Sequence, residues 1–185
     1  MKIKVITSNE GKMREYARSL GALGYEVCKG KVPYDEIQAD TLEEVVSHGL
    51  KVLSETEDSF IIDDSGLFID RFDGFPGVYS AYALRTLGNE GLLKLMEGVD
   101  DRRASFVCCI GCKLPGRDAF TVSAACEGHI LEERRGSLGF GFDPIFTTDG
   151  ERSFAEMDID EKNRISHRGL AVAALVDRLR SEEGR

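Results

Sequence analysis

The chain has 185 residues, of which 42% are hydrophobic and 31% charged, and its formal net charge is -9. That composition is globular and long enough to bury a sizeable core, as one domain over residues 1–185. The acidity argues against a broad nucleic-acid face or an anionic membrane surface, because phosphate backbones recruit basic faces. A small polyanion needs only a few cations converging locally, so the balance does not exclude one.

No stretch approaches the ~20 apolar residues of a membrane span. Met1–Thr7 is too short an apolar segment for a secretory signal and reads as a first strand. The five cysteines are Cys28, Cys108, Cys109, Cys112 and Cys126. The Cys109-x-x-Cys112 spacing hints at zinc, but no second pair or nearby His-x-His completes four ligands. Cys108, Ile110 and Cys112 share one face of a strand, so buried free thiols in a reducing cytoplasm are expected.

In chain order, Lys2–Thr7 alternates as a strand does, with Ile3 and Val5 on one face. The turn Ser8-Asn9-Glu10-Gly11 follows, then a helix whose stripe is Met13, Tyr16, Ala17 and Leu20. A strand is expected over 25–29. Thr41-Leu42-Glu43-Glu44 matches a capping box, with Leu42, Val45, Val46, Gly49, Leu50 and Leu53 on one side of the helix behind it. Residues 59–64 read as a short buried strand ending in two carboxylates. Connections through Gly66, Gly74 and Gly77 lead to a short helix near 92–96. Residues 104–114 and 120–127 form a hairpin across Pro115-Gly116-Arg117-Asp118. The glycine-rich segment 136–146 precedes a last helix striped by Val172, Leu175, Val176 and Leu179. Interspersed strands and helices with a hairpin make an α/β domain around a mixed sheet, without internal repeats.

Four polar segments stand out. Thr7-Ser8-Asn9-Glu10-Gly11-Lys12 lies between strand and helix, where backbone N–H groups suit phosphate oxygens; taken alone it is also an ordinary capped turn. Asp63-Asp64-Ser65-Gly66 ends a buried strand, and adjacent strand residues face opposite ways, so one aspartate enters a given cleft. Gly139-Phe140-Gly141-Phe142-Asp143-Pro144-Ile145-Phe146 offers close backbone approach and a phenyl face; a glycine-bent strand with core aromatics is the plainer account. Lys162, Asn163, Ser166, His167 and Arg168 concentrate donors at a helix start, where capping residues also gather.

Together these segments, with Glu36-Ile37-Gln38 and Gly74-Phe75-Pro76-Gly77-Val78-Tyr79-Ser80-Ala81, resemble the inosine triphosphate pyrophosphatases, also called non-standard purine NTP pyrophosphatases. The resemblance implies an elongated, two-lobed α/β domain around a mixed, twisted sheet, with a central nucleotide cleft, usually in a homodimer. It implies that Asp64 is the general base and, with Glu36, a magnesium ligand. Thr7, Ser8, Asn9, Glu10, Gly11 and Lys12 would cradle the triphosphate, helped by Lys51 and Lys162, with Ser65 beside them. Phe140 would stack on the purine, and Gly141, Phe142, Asp143, His167 and Arg168 would line the base and sugar pocket. Lys51 falls opposite its helix's apolar stripe, so its role rests on the resemblance alone. Ser8 stands where many members have Gly, and Phe142 where Tyr is common.

The implied reaction is magnesium-dependent hydrolysis of ITP, dITP and XTP between the α- and β-phosphates, which cleanses the nucleotide pool. The competing expectations are a related-fold pyrophosphatase for pyrimidine or modified triphosphates and a non-catalytic nucleotide sensor.

Overall fold

The computed structural model describes residues 2–30, 34–35, 37–55, 57 and 59–183. The strands are β1 (Lys2–Ile6), β2 (Glu26–Gly30), β3 (Phe60–Ile69), β4 (Arg103–Lys113), β5 (Phe120–Ile130) and β6 (Phe146–Thr147). The helices are α1 (Glu10–Ala22), α2 (Leu42–Leu53), α3 (Ser80–Thr86), α4 (Gly88–Leu95), α5 (Ile159–Ile165) and α6 (His167–Glu183). The strands form one sheet in the order β2-β1-β3-β4-β5-β6. β1 runs parallel to β2 and β3, while β3, β4, β5 and β6 pair antiparallel in turn, so the sheet is mixed.

Residue alternation sorts the two faces. On β3, Ile61 joins a cluster with Tyr16, Leu20, Cys108, Ile110, Val172 and Leu175, under α1 and α6. Phe60 and Ile62 point the other way, into a cluster with Val46, Leu50, Leu53 and Cys109, under α2. A third cluster fills the far halves of the long strands, where Leu67, Ile69, Phe106, Phe146 and Phe154 meet Leu92 and Met96. The Thr41–Glu44 capping box at the start of α2 forms as its spacing predicts.

Three local expectations change. β3 does not stop at Asp64: it pairs with β4 residue by residue from Phe60↔Lys113 to Ile69↔Ala104. Long-range pairing overrides the turn preference of Ser65-Gly66, and Gly66 suits the strand because a Cβ there would lie 2.3 Å from the Gly77 carbonyl oxygen. In α1, Ala17 is exposed and Glu15 is buried beside Tyr16 and Leu20. α3, α5 and the two-residue β6 had no clear periodicity, being too short to show one. All five cysteines are free, with Cys28 half-buried and the others buried.

Candidate functional site

The topology creates a crevice before any side chain is considered. α1 carries the chain from β1 to β2 on one face of the sheet, and α2 returns it to β3 on the other. The order β2-β1-β3 therefore reverses at β1, and such switch points open a crevice beyond the strand's carboxyl end. β1 stops at Ile6 and touches β3 through Val5↔Ile61, whereas β3 runs on to Ile69. From Asp63 onward side chains serve the outer edge of β3: the Asp63 carbonyl accepts a hydrogen bond from Lys12 Nζ at 3.0 Å, and Leu67 N donates to Ser80 Oγ at 2.8 Å.

A cleft of about 130 Å³ lies at this edge. Its walls include Asn9, Lys12, Asp64, Ser65, Phe140, Gly141, Phe142, Asp143, Lys162, His167 and Arg168, which join four segments far apart in the chain. Thr7, Ser8, Glu10 and Gly11 do not line it. Thr7 Oγ1 accepts from Asn9 N at 3.1 Å, and Asn9 Oδ1 caps α1 by accepting from Gly11 N at 2.8 Å and Lys12 N at 3.1 Å. Glu10 is turned toward Lys29 at the surface. Gly11 lies behind Phe140, where an added Cβ would stand 2.4 Å from the ring. Lys51 is exposed and lines a separate groove with Phe120 and Thr121. Glu36 lies outside the described residues. Among those described, no group of three or more His, Cys, Asp or Glu side chains is placed to hold a metal.

The two neighbouring aspartates divide as strand alternation requires. Asp64 turns its carboxylate to the open edge, where Oδ1 accepts from Ser65 N at 2.8 Å. Asp63 is buried on the α1–α6 face. Its Oδ2 lies 3.2 Å from Lys12 Nζ and accepts from Arg168 Nε at 3.1 Å and Ser65 Oγ at 3.2 Å. Burial alone would raise the Asp63 carboxyl, but Lys12 and Arg168 outweigh it and hold it below the usual range.

Glu15, which sequence reasoning passed over, ties the other cations together. Its Oε1 lies 2.7 Å from Lys162 Nζ and its Oε2 pairs with Arg168, all three side chains being buried. Lys162 also meets Asp143 Oδ2 at 2.6 Å. Burial would raise Glu15, and the two cations reverse that. Asp143 is raised by burial, which Lys162 offsets only in part. Lys12, Lys162 and Arg168 thus already face Asp63, Glu15 and Asp143. Such pairing is what buried ammonium and guanidinium groups require. Arg168 also donates from Nη2 to Ser65 Oγ at 2.8 Å, so three of its five N–H groups are engaged.

The Phe140 ring lies over the same cations. Lys162 Nζ is 4.9 Å and Arg168 Cζ 5.6 Å from the Phe140 ring centre. The His167 ring stacks on Phe106 at 4.6 Å with planes 12° apart. Burial first, and Arg168 and Lys162 after it, push His167 well below its ordinary pKa, so the imidazole is neutral. Its Nδ1 is buried and has no hydrogen-bond partner among the described residues.

Fold and cleft define an α/β protein with a charged, phenyl-lined small-molecule crevice at the switch point of its sheet. The sequence pattern of the Ham1 family matches residues 3–178, and the chain belongs to that family. It is 52% identical to the dITP/XTP pyrophosphatase of Pyrococcus horikoshii, over 97% of each chain. It is 50% identical to the dITP/XTP pyrophosphatase of Thermococcus kodakarensis, over 93% of this chain and 94% of the other. The solved structure of the Staphylococcus aureus Ham1 protein superposes with a TM-score of 0.82 at 29% identity, covering 98% of this chain and all of that one.

Proposed function

We propose that this chain hydrolyses deaminated purine nucleoside triphosphates, dITP, ITP and XTP, to the nucleoside monophosphate and pyrophosphate. The observation that carries this reading is the cleft itself, whose lining brings together the Asp64 carboxylate, Lys12 and the Phe140 ring. A phenyl face suits a purine, and a carboxylate beside an ammonium group suits a phosphate and its attacking water.

In this reading Asp64 orients a water and takes its proton as the water oxygen bonds to the α-phosphorus. The bond from that phosphorus to the α–β bridging oxygen breaks, and pyrophosphate leaves with the electron pair. Lys12 neutralises charge gathering on the leaving group. The Asp64 carboxylate suits a hard divalent cation: Asp64 and Glu36 would hold Mg²⁺, which would supply charge neutralisation there. A homodimer belongs to the same reading, with exposed Phe75, Tyr79 and Tyr82 as the apolar surface available to it. Five free thiols suit work in a reducing cytoplasm.

Specificity follows from donors without acceptors. Hypoxanthine and xanthine carry an acceptor at the six-position, and adenine carries a donor. A buried donor left unpaired costs about 1–3 kcal/mol. With three N–H groups of Arg168 already committed, backbone amides of the Phe140–Asp143 segment carry more of that recognition than the sequence implies.

The test is pyrophosphate release from a panel of standard and deaminated triphosphates, with and without Mg²⁺. Turnover of ITP and XTP well above that of ATP, GTP and dTTP, abolished by chelation, is expected. Equal or faster turnover of dTTP, or none of ITP and XTP, rejects the proposal.

A further inference from the structure

We propose that Asn89 is a specificity-positioning residue, which holds the Gly141–Phe142 peptide so that its N–H, and not its C=O, faces the cleft. The inference rests on the function proposed above and assigns part of its base discrimination to a residue outside the cleft wall.

Phe140 to Asp143 form a tight turn, closed by Asp143 N donating to the Phe140 carbonyl at 3.2 Å. Gly141 has φ 67° and Phe142 has φ -91° and ψ 8°. A positive φ at the first central residue and near-bridge values at the second define a type II′ turn. Rotating the central peptide by half a turn converts type II′ into type I′, which requires positive φ at Phe142 as well as at Gly141. The phenylalanine side chain disfavours that form, and a grip on the central peptide disfavours it further.

Asn89, near the start of α4, grips it. Its Nδ2 donates to the Gly141 carbonyl at 3.1 Å. Asn89 Oδ1 is buried with no partner among the described residues, so this bond is the one that the amide makes. Reversing the amide would set two oxygens face to face, which fixes its orientation. A trans peptide points its N–H opposite to its C=O. With the carbonyl drawn to Asn89, the Phe142 N–H is directed to the other side of the turn. Gly141 and Phe142 line the cleft and Asn89 does not. A free N–H there pairs with the six-oxo group of a deaminated purine; a carbonyl there would pair with the amino group of adenine.

Two substitutions at Asn89 loosen the peptide to different degrees. Asn89→Asp places a carboxylate oxygen against the Gly141 carbonyl and repels it. Asn89→Ala merely removes the grip. For each, kcat/KM and binding affinity are measured with ITP and with ATP, alongside thermal unfolding. The preference for ITP over ATP should fall about tenfold in Asn89→Asp, the scale of one buried hydrogen bond exchanged for a repulsion, and less in Asn89→Ala. The change should appear as weaker ITP and stronger ATP binding. A merely structural role would depress both nucleotides alike, and an unchanged ITP-to-ATP ratio in both variants overturns the proposal. A wild-type protein that binds ITP selectively without releasing pyrophosphate rejects the hydrolytic reading and leaves the binding ratio to decide this one; equal binding of ITP and ATP by wild type overturns it.

Discussion

Arg168 Nε donates to Asp63 Oδ2 at 3.1 Å, joining the first turn of α6 to the middle of β3 across 105 residues of chain. Asp63 thereby belongs to the frame of the site, while Asp64, its neighbour, belongs to the cleft. The same substitution at the two positions should separate the roles. Asp63→Asn leaves Lys12 and Arg168 beside a neutral amide in a buried place, and removing one partner of such a pair costs about 3–5 kcal/mol. Asp64→Asn should leave stability within about 1 kcal/mol of wild type and reduce turnover by roughly 10² to 10⁴. Urea unfolding and pyrophosphate release, measured on both variants, test the division. Comparable stabilities, or an active Asp64→Asn protein, would contradict it.

Gly11→Ala probes the support of Phe140. In an exposed helix interior alanine would gain up to about 1 kcal/mol over glycine. Here its Cβ would stand 2.4 Å from Phe140 Cδ1, so the ring must shift. Stacking of a base on an aromatic ring is worth about 1–3 kcal/mol. KM for ITP should therefore rise roughly tenfold, with kcat nearly constant, because the ring binds ground state and transition state alike. A fall in kcat at unchanged KM would place Phe140 elsewhere in the reaction.

Much of this was legible in the sequence, for local reasons. The capping box at Thr41, the hairpin of β4 and β5 and the stripe of α6 depend on neighbours a few residues away. The cleft's polar segments were legible because each combines glycine, carboxylate or amide groups at an element end. Glu15 was not, although a carboxylate next to Tyr16 on a buried helix face signals a need for cationic partners. Those partners, Lys162 and Arg168, lie 147 and 153 residues away, beyond any periodicity. Lys51 shows the converse: its position in the chain suited the resemblance, yet α2 turns it toward the β4–β5 hairpin end. Asn89 has no local signature either, since its importance arises from contact with a turn 52 residues downstream.

His167 should leave a mark on acid stability. Its folded-state pKa is depressed, by burial first and by neighbouring cations second. Below about pH 6.5, the ordinary histidine value, the unfolded chain takes up a proton that the native imidazole refuses. Stability therefore falls as pH drops, by up to about 1.4 kcal/mol per pH unit for one proton. Glu15 and Asp63 have depressed folded pKa values, so their contribution is present above the ordinary carboxyl range near about 4 and is lost only at lower pH. Asp143, whose folded carboxyl is raised by burial, acts with the opposite sign above that range, so the part of the slope between about pH 6 and pH 5 that disappears with the imidazole belongs to His167. Denaturant unfolding of His167→Gln against pH checks this: the slope should flatten in that window, and an unchanged slope would refute the buried neutral imidazole.

The thiols offer a test of the core that requires no substrate. Burial, reinforced by Asp63, pushes Cys108 up to about 12. Burial likewise pushes Cys109 and Cys126 up to about 11. At pH 8 a thiol of that pKa is ionised to about one part in a thousand, and the thiolate is the reactive form. Cys112 is sequestered on the α1–α6 face of the sheet. Cys28 alone is half-buried. A thiol-specific disulfide reagent should modify one group quickly in the native protein, with Cys28→Ser removing that phase. The remaining four should react as the chain unfolds, at a rate that follows denaturant concentration. Fast reaction of two or more groups in the folded protein would mean that the sheet does not seal its cysteines as the packing requires.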